Sequence, residues 1–282
     1  YLLATEDEQT FNQHFRPVVE QIIEAYRDGT RFNIHADGDG LIVSGDAETQ
    51  LTWMDARCNN VSFTPRYGKP VEVNALWINA LHILAKTASD GNRRRYWLDQ
   101  AQLAEKSFRM SFWNTDQSCL YDCIMPDGSP DVSVRPNQIF AVSLPFSCLD
   151  SEQQLSVVRT VQEHLLTPYG LRSLSPQDGR YCGRYQGDQY SRDSAYHQGT
   201  VWGFLMGPFI EAFLKVHRFS PESARQAHDM ITPLLDHLDN DACLGSVSEI
   251  FDGDPPHQPR GCIAQAWSVA ELLRVKKLLM QS

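Results

Sequence analysis

The feature that most constrains the fold of this chain is an alternation between two kinds of helical segment. One kind carries its apolar residues on a single face, as helices against solvent do, and covers about residues 6–27, 92–113, 151–166 and 220–238. The other kind is apolar on almost every face, as buried helices are, and begins near residues 70, 135, 198 and 260. The alternation predicts an all-α fold, an (α/α) toroid with alternating inner and outer helices.

The links between these segments differ in length according to direction. Links from inner to outer helices are short, whereas links from outer to inner helices are long and polar, covering about residues 28–69, 114–135, 167–197 and 239–260. Long loops gathered at one end of a rigid scaffold usually carry function. Here they lead into the N-termini of the inner helices, whose free N–H groups favour anionic or hydroxyl-rich ligands.

The loops contain aromatic, carboxylate and amide side chains but no glycine-rich phosphate loop. This content indicates a neutral, polyhydroxylated ligand, for which carbohydrate is the natural candidate. Hydrolysis of a glycosidic bond usually needs two carboxyl groups, one acid and one base or nucleophile. The residues alone leave open which two carboxylates these are.

Composition excludes several other classes of protein. With 282 residues, of which 42% are hydrophobic, the chain can bury a full core, as one large domain or at most two. A net charge of −10 argues against nucleic-acid binding, and the chain contains no apolar run long enough for a membrane span. Seven scattered cysteines, an odd number without a CxxC pair, favour a reducing compartment, which we expect to be the cytoplasm.

Metal and cofactor sites are not expected. His35, His197 and His257 lack a metal-binding spacing such as HExxH. The stretch ADGDG at 36–40 resembles a calcium loop only at its start, because the later ligands are missing.

One carboxylate stands in an unusual setting. Asp55 lies between Trp53-Met54 and Ala56, in a stretch otherwise suited to burial. A carboxylate that loses hydration needs a partner, or it acquires a raised pKa that suits an acid.

Six stretches resemble a known family. In chain order, between about residues 30 and 275, they are QLTWMDA, TPRYGKPVEVNALWINAL, RPNQIFAVSLPF, GLRSLSP, YHQGTVWGFLMGPF and SEIFDGDPPHQPRGCIAQAWS. Together they resemble the C-terminal amylo-α-1,6-glucosidase domain of glycogen debranching enzymes. The resemblance implies a glucoamylase-like toroid of six inner and six outer helices. It also implies an inverting glycosidase that removes single α-1,6-linked glucose stubs from glycogen or a similar branched α-glucan.

The resemblance also assigns roles. The aspartate of TWMDA falls at Asp55 and is expected to be the general acid, and the glutamate of SEIFDG falls at Glu249 and is expected to be the general base. For an inverting pair the carboxyl groups should lie about 6.5–9.5 Å apart. Side chains in the long loops or at inner-helix starts are expected to bind the terminal glucose: Trp53, Arg66, Glu72, Asn74, Asp193, His197, Gln198, His257 and Arg260.

The chain departs from this family in extent. We identify about eight helices where the family's ring has twelve, so we expect a single domain over residues 1–282 that lacks its N-terminal helices, with the missing part elsewhere in the same polypeptide. Two alternatives stay open at this point. The chain could be a non-catalytic glucan-binding or structural piece, or an α-1,4-cleaving exo-glucosidase of the same fold.

Overall fold

The computed structural model describes residues 1–280, and helices form its scaffold. In chain order the α-helices are α1 (Leu2–Thr5), α2 (Glu8–Thr10), α3 (Arg16–Asp28), α4 (Val71–Thr87), α5 (Gly91–Phe112), α6 (Phe140–Ser143), α7 (Ser151–Leu165), α8 (Gln189–Ala195), α9 (Met206–Val216), α10 (Pro221–Asn240) and α11 (Ala266–Leu279). A π-helical turn joins α2 to α3, and 3-10 turns at Pro136–Ile139 and Gly203–Leu205 lead into α6 and α9. None of the helices within residues 1–280 is long and apolar enough to cross a membrane.

The long loops contain short strands, so the all-α prediction holds for the scaffold alone. The strands are β1 (His35–Ala36), β2 (Ile42–Val43), β3 (Arg57–Cys58), β4 (Val61–Ser62), β5 (Lys69–Pro70), β6 (Trp113–Asn114), β7 (Cys119–Leu120), β8 (Cys123–Ile124), β9 (Pro130–Asp131), β10 (Leu166–Thr167), β11 (Gly170–Arg172), β12 (Val201–Trp202), β13 (Ile250–Phe251) and β14 (Pro259–Arg260). Strands of two or three residues are too short to show an alternating pattern, which is why periodicity gave no sign of them.

The largest sheet pairs β10, β11, β12, β13 and β14 in that order, all antiparallel. It draws together the third and fourth long loops, because Trp202 of β12 pairs with Ile250 of β13 and Ile250 pairs with Arg260 of β14. At Gly170 of β11 an added Cβ would collide with the carbonyl oxygen of Trp202, so only glycine allows the chain this close to β12.

Two helix starts agree with the caps that the sequence offers, Asp150 and Ser220. Asp150 accepts a hydrogen bond from the N–H of Gln153, whose Oε1 accepts the N–H of Asp150, so α7 begins with a full capping box. Ser220 likewise caps α10, which begins at Pro221. The segment predicted as one helix from residue 198 instead begins with β12 and a 3-10 turn before α9 starts at Met206.

The first predicted helix is broken up. The sequence predicts that Thr5 and Glu8 open this helix as a capping box, but Asp7 caps α2 instead, through a 2.9 Å hydrogen bond from the N–H of Thr10. Its apolar stripe is also divided, because Phe11 and Ile23 are buried whereas four other members are exposed: Phe15, Val18, Ile22 and Tyr26.

One hydrophobic core runs through α4, α5, α7, α9 and α10. Leu84 of α4 and Leu214 of α9 are fully buried in it, as expected for inner helices. Leu76 of α4 is 49% exposed, however, and Leu273 of α11 is 64% exposed. The prediction that Leu76 lies in the interior is therefore wrong, because that face of α4 has no neighbouring helix among the described residues.

Leu84 and Leu76 of α4 give a matched test of this layering. Leu84→Ala should lower the free energy of unfolding by about 2–5 kcal/mol, because it leaves a cavity in the core. Leu76→Ala changes the same residue type two turns earlier in the same helix, and should cost less than about 1 kcal/mol. Urea denaturation of both variants measures the difference. Equal losses would contradict the burial described for α4.

Candidate active site

Asp55 lies on a segment whose flanking residues are buried in the protein. Met54 and Ala56 are buried while Asp55 between them is exposed, so the backbone presents the carboxylate outward. Trp53 donates its indole N–H to Oδ1 of Asn137 at 2.7 Å, and its ring meets the ring of His197 edge-on at 5.4 Å. The segment is thus anchored to residues from two other loops.

The hairpin that follows Asp55 is set by its turn residues. Asn59 and Asn60 both have positive φ, 50° and 61°, and join β3 to β4. Two asparagines tolerate this left-handed conformation, which a two-residue hairpin requires. The hairpin reverses the chain and returns it toward Arg66.

The surroundings of Asp55 favour its neutral form. Partial burial raises the pKa of the carboxyl group above its ordinary value, and a backbone hydrogen bond only partly offsets this effect. A carboxyl group with a raised pKa suits a general acid.

Hydrogen-bond donors hold the carboxylate of Glu249 in place. The residue immediately precedes β13, and its Oε1 accepts hydrogen bonds from the hydroxyl of Tyr196 at 2.6 Å and the amide of Gln265 at 3.3 Å. Its Oε2 accepts the backbone N–H of Cys262 at 2.7 Å. At Gly261, where φ is 68°, any Cβ would collide with this carboxylate. Three donors favour an ionised carboxylate, which suits a general base.

The hydroxyl of Tyr196 binds Glu249 directly. Burial, this hydrogen bond and the charge of Glu249 raise the pKa of Tyr196, and the charge of Asp55 adds a smaller effect. That Asp55 and Glu249 face one cleft, about 6.5–9.5 Å apart, stays a prediction.

A buried ionic network supports the segment that carries Asp55. Arg66 forms two 2.5 Å hydrogen bonds to the carboxylate of Glu72 and a 2.6 Å bond to Asp122. Asp122 in turn accepts the amide of Asn137 at 2.7 Å, and Asn137 holds Trp53. Burial opposes the charge of Arg66, but the two carboxylates outweigh it and raise its pKa well above the ordinary range.

Arg135 extends this network to the third long loop. Its guanidinium lies 3.8 Å from Asp122, and donates to the carbonyl oxygen of His197 at 2.7 Å and to Oε1 of Gln198 at 2.8 Å. Two buried guanidinium groups thus face the carboxylates of Glu72 and Asp122, so the charges balance.

The predicted sugar-binding residues fall into two groups. Arg66, Glu72, Asn74 and Gln198 are buried and hydrogen-bonded within the protein. Asn74, for example, pairs its amide with the backbone N–H and carbonyl oxygen of Ile42. Contact of these four with a sugar stays a prediction, and what the structure gives them is a role in holding the loops in place.

The remaining predicted binding residues lie nearer the surface. Asp193 is half-buried near the end of α8, and its charge acts on Tyr185, as does that of Glu249. Arg260 pairs with the buried carboxylate of Asp252 at 3.1 Å, and Nδ1 of His257 lies 2.9 Å from the carbonyl oxygen of Asp252. The structure therefore brings Trp53, Asp193 and Glu249 toward one region and uses Arg260 and His257 to secure the turn after β13.

His197 is buried in a defined protonation state. Nδ1 accepts the backbone N–H of Ala56 at 3.4 Å, so the neutral ring carries its proton on Nε2, which has no hydrogen-bond partner among residues 1–280. The ring stacks on Trp202 with centroids 5.2 Å apart. Burial, and then the charges of Arg135 and Arg66, lower the pKa of His197 to about 3.

Sequence reasoning did not select several residues that build the site: Asp122, Arg135, Asn137, Tyr196 and Gln265. Four of the five, all except Asp122, lie inside the stretches that carry the family resemblance. Tyr196 directly precedes His197, a predicted binding residue, and this position was the sequence signal that could have identified Tyr196. Within residues 1–280, no group of three or more His, Cys, Asp or Glu side chains could hold a metal ion.

Comparison with known proteins identifies a family and a relative of this chain. Residues 1–274 match the family described as amylo-alpha-1,6-glucosidase. The glycogen debranching enzyme of Saccharomyces cerevisiae is 26% identical, over 71% of this chain and 16% of that protein. The chain thus spans about a sixth of the length of this curated relative.

Two solved structures from Thermus thermophilus share the fold. An uncharacterized conserved protein is 15% identical with a TM-score of 0.54, over 76% of this chain and 47% of that one. A GH63 mannosylglycerate hydrolase in complex with glucose is 15% identical with a TM-score of 0.53, over 76% and 48%. At this identity the likeness concerns the fold, and it relates the helical scaffold to that of GH63 enzymes.

The neutral state of His197 generates a pH-dependent prediction. The folded protein protonates His197 only near pH 3, whereas the unfolded chain does so near 6.5, so the unfolded state binds more protons between these values and stability falls as the pH drops through them. One proton corresponds to about 1.4 kcal/mol per pH unit. Between pH 7 and pH 5 the wild type should therefore lose about 2 kcal/mol more than His197→Gln.

Urea denaturation at the two pH values measures this difference. His14→Gln, which replaces an exposed histidine, is the matched control and should keep the wild-type slope. A wild-type slope in His197→Gln would show that this ring is not buried in its neutral form.

Proposed function

The chain belongs to the amylo-α-1,6-glucosidase family, and on that premise we propose that it is a glycoside hydrolase that releases glucose from α-1,6-linked branch stubs of glycogen or a similar glucan. The observation that supports the proposal is the contrast between the surroundings of two carboxyl groups, those of Asp55 and Glu249. Asp55 has a raised pKa, and Glu249 accepts three hydrogen bonds. Two carboxyl groups in such different surroundings suit an acid and a base.

Asp55 acts as the general acid. In its neutral form the carboxyl group donates a proton to the glycosidic oxygen as the bond to the anomeric carbon breaks. The departing glucan leaves as an alcohol, and Asp55 becomes a carboxylate. Removal of water from one side by Met54 and Ala56, both buried, favours the neutral form from which this step starts.

Glu249 acts as the general base. Its carboxylate accepts a proton from a water molecule, whose oxygen bonds to the anomeric carbon on the face opposite the departing oxygen. The product is β-glucose, so the configuration inverts. The proton released to Glu249 and the proton taken from Asp55 balance, and both carboxyl groups return to their starting states through solvent.

Glucose recognition is assigned to the side chains around these two groups. Trp53 is half-buried and can offer an aromatic surface to the sugar, and Asp193 and Arg260 offer polar groups nearby. The ring of His197 is fully buried against Trp53 and Trp202, so we assign it an indirect role in holding the site. Arg66, Glu72, Asn74 and Gln198 act indirectly by holding the loops.

We also propose that the helices form part of an (α/α) toroid completed by other helices of the same polypeptide, acting in the cytoplasm. Apolar side chains are exposed on α3 at Val18 and Ile22 and on α11 at Trp267 and Leu273. Contiguous exposed apolar faces usually mark an interaction site. Helices packed on these faces would bury them.

The stereochemistry of release tests the reaction. A glycogen dextrin trimmed to single α-1,6-linked glucosyl stubs should yield free glucose that appears first as the β-anomer in proton NMR. Initial appearance of the α-anomer would contradict the roles given to Asp55 and Glu249. Release from linear α-1,4-linked chains alone would assign an exo-glucosidase, and glucan binding without release would assign a binding piece.

Substitution of the two carboxylates tests their roles. In the enzyme as the cell makes it, Asp55→Asn and Glu249→Gln should each lower the rate on α-1,6 stubs by about 10²–10⁴-fold, because each removes a positioned proton donor or acceptor. With α-glucosyl fluoride, whose leaving group needs little protonation, Asp55→Asn should recover much of its rate. Glu249→Gln should stay slow, because activation of water is still missing.

Asp99→Asn is the matched control, since Asp99 lies exposed on α5, and it should retain the wild-type rate on both substrates. Recovery by Glu249→Gln in place of Asp55→Asn would exchange the two roles. Near wild-type rates in both variants would remove these residues from catalysis.

A further inference from the structure

The hydroxyl of Tyr196 is fixed in one direction. The residue follows α8 directly, and its carbonyl oxygen accepts the indole N–H of Trp202 at 3.2 Å, which holds its backbone. Its half-buried ring is enclosed by the rings of Tyr185 at 5.5 Å, His197 at 4.7 Å and Trp202 at 5.0 Å. With rotation restricted in this way, the hydroxyl points to Oε1 of Glu249 at 2.6 Å.

The Tyr196 hydroxyl differs from the other two hydrogen-bond donors to Glu249. The N–H of Cys262 binds Oε2, and Gln265 reaches Oε1 at 3.3 Å, a longer contact than that of Tyr196. Tyr196 is therefore the short donor to Oε1. The charge of Asp55 also acts on this phenol.

Resting on the proposed function, we propose that Tyr196 is a positioning residue for the general base: its hydroxyl holds the Glu249 carboxylate in one orientation and in its ionised form. A hydrogen bond to the charged form of a carboxyl group favours that form. A carboxylate fixed on both oxygens also presents its remaining lone pairs to water in a single geometry.

The phenol itself stays protonated throughout. Burial, the hydrogen bond to Glu249 and the nearby charges of Glu249, Tyr185 and Asp55 raise the pKa of Tyr196 far above its ordinary value. The hydroxyl is thus a donor at every pH where the enzyme would work, and cannot itself serve as base or nucleophile.

The ionisable groups around Glu249 come from three loops. Tyr196 and Tyr185 face it from the third long loop, and Asp55 adjoins Tyr196 from the first. On the paired strand β14, Arg260 is engaged with Asp252. Loss of the Tyr196 hydroxyl therefore leaves Oε1 of the Glu249 carboxylate with the longer Gln265 contact, and fewer donors to the charged form favour its protonation.

Tyr196→Phe tests this role through the pH profile. The acidic limb of kcat/KM on the α-1,6 stub should move upward by about one pH unit, because Glu249 is harder to keep ionised. The kcat should fall by about tenfold or more with little change in KM. Tyr169→Phe is the matched control, since the ring of Tyr169 stacks on Phe251 of the neighbouring strand, and its profile should match the wild type.

A second substitution keeps the ring in place. 3-Fluorotyrosine at position 196 retains the packing and makes the hydroxyl a stronger donor, so the acidic limb should move to lower pH. A loss of packing would not move the acidic limb to higher pH in Tyr196→Phe and to lower pH in the 3-fluorotyrosine protein. An unmoved limb in both would overturn the role of Tyr196.

Carbon-13 NMR titration provides a readout that does not need activity. The carboxyl signal of Glu249, assigned by its loss in Glu249→Gln, should titrate at higher pH in Tyr196→Phe than in the wild type. An unchanged titration with an active wild type would overturn the Tyr196 inference and leave the proposed function standing. An inactive wild type would instead overturn the proposed function, whatever the titration.

Discussion

The buried cluster of Arg66, Glu72, Asp122 and Arg135 determines how the long loops meet. Arg66 lies in the first long loop, Glu72 in the first turn of α4, and Asp122 and Arg135 in the second long loop. Each buried charge needs its partner, because removing one typically costs about 3–5 kcal/mol. The segments that carry the cluster are therefore fixed relative to one another although they have little regular secondary structure. The indole of Trp53, linked through Asn137, is carried into place by the same charges.

The sequence predicted the scaffold where packing and caps act locally. Helices α4, α5, α7 and α10 begin within about two residues of their expected starts, because periodicity and the Asp150 and Ser220 caps are local signals. Burial of a given face is not local. Leu76 lies between apolar residues, as a core leucine does, yet its side chain is exposed. The burial of a helix face depends on which helix packs against it. The short strands escaped prediction because two or three residues are too few to show an alternating pattern.

The candidate site was predictable in part. The setting of Asp55 between apolar residues correctly indicated a raised pKa, and the family resemblance directed attention to Glu249. No pattern in one sequence distinguishes a carboxylate that meets a ligand from one that balances a buried arginine, as Glu72 does. The same limit hid Tyr196, whose importance depends on a hydrogen bond across 53 residues of chain.

The contacts that fix Asp55 have a consequence for the order of folding. Trp53 is bonded to a residue 84 positions away, and Ala56 to one 141 positions away. Contacts of such sequence separation form late, because the intervening chain must first lose its freedom. Helices such as α4 and α5 can form from local interactions before them. We therefore expect the candidate site to form after the local helices, when the segment around Asp55 docks onto the second and third long loops.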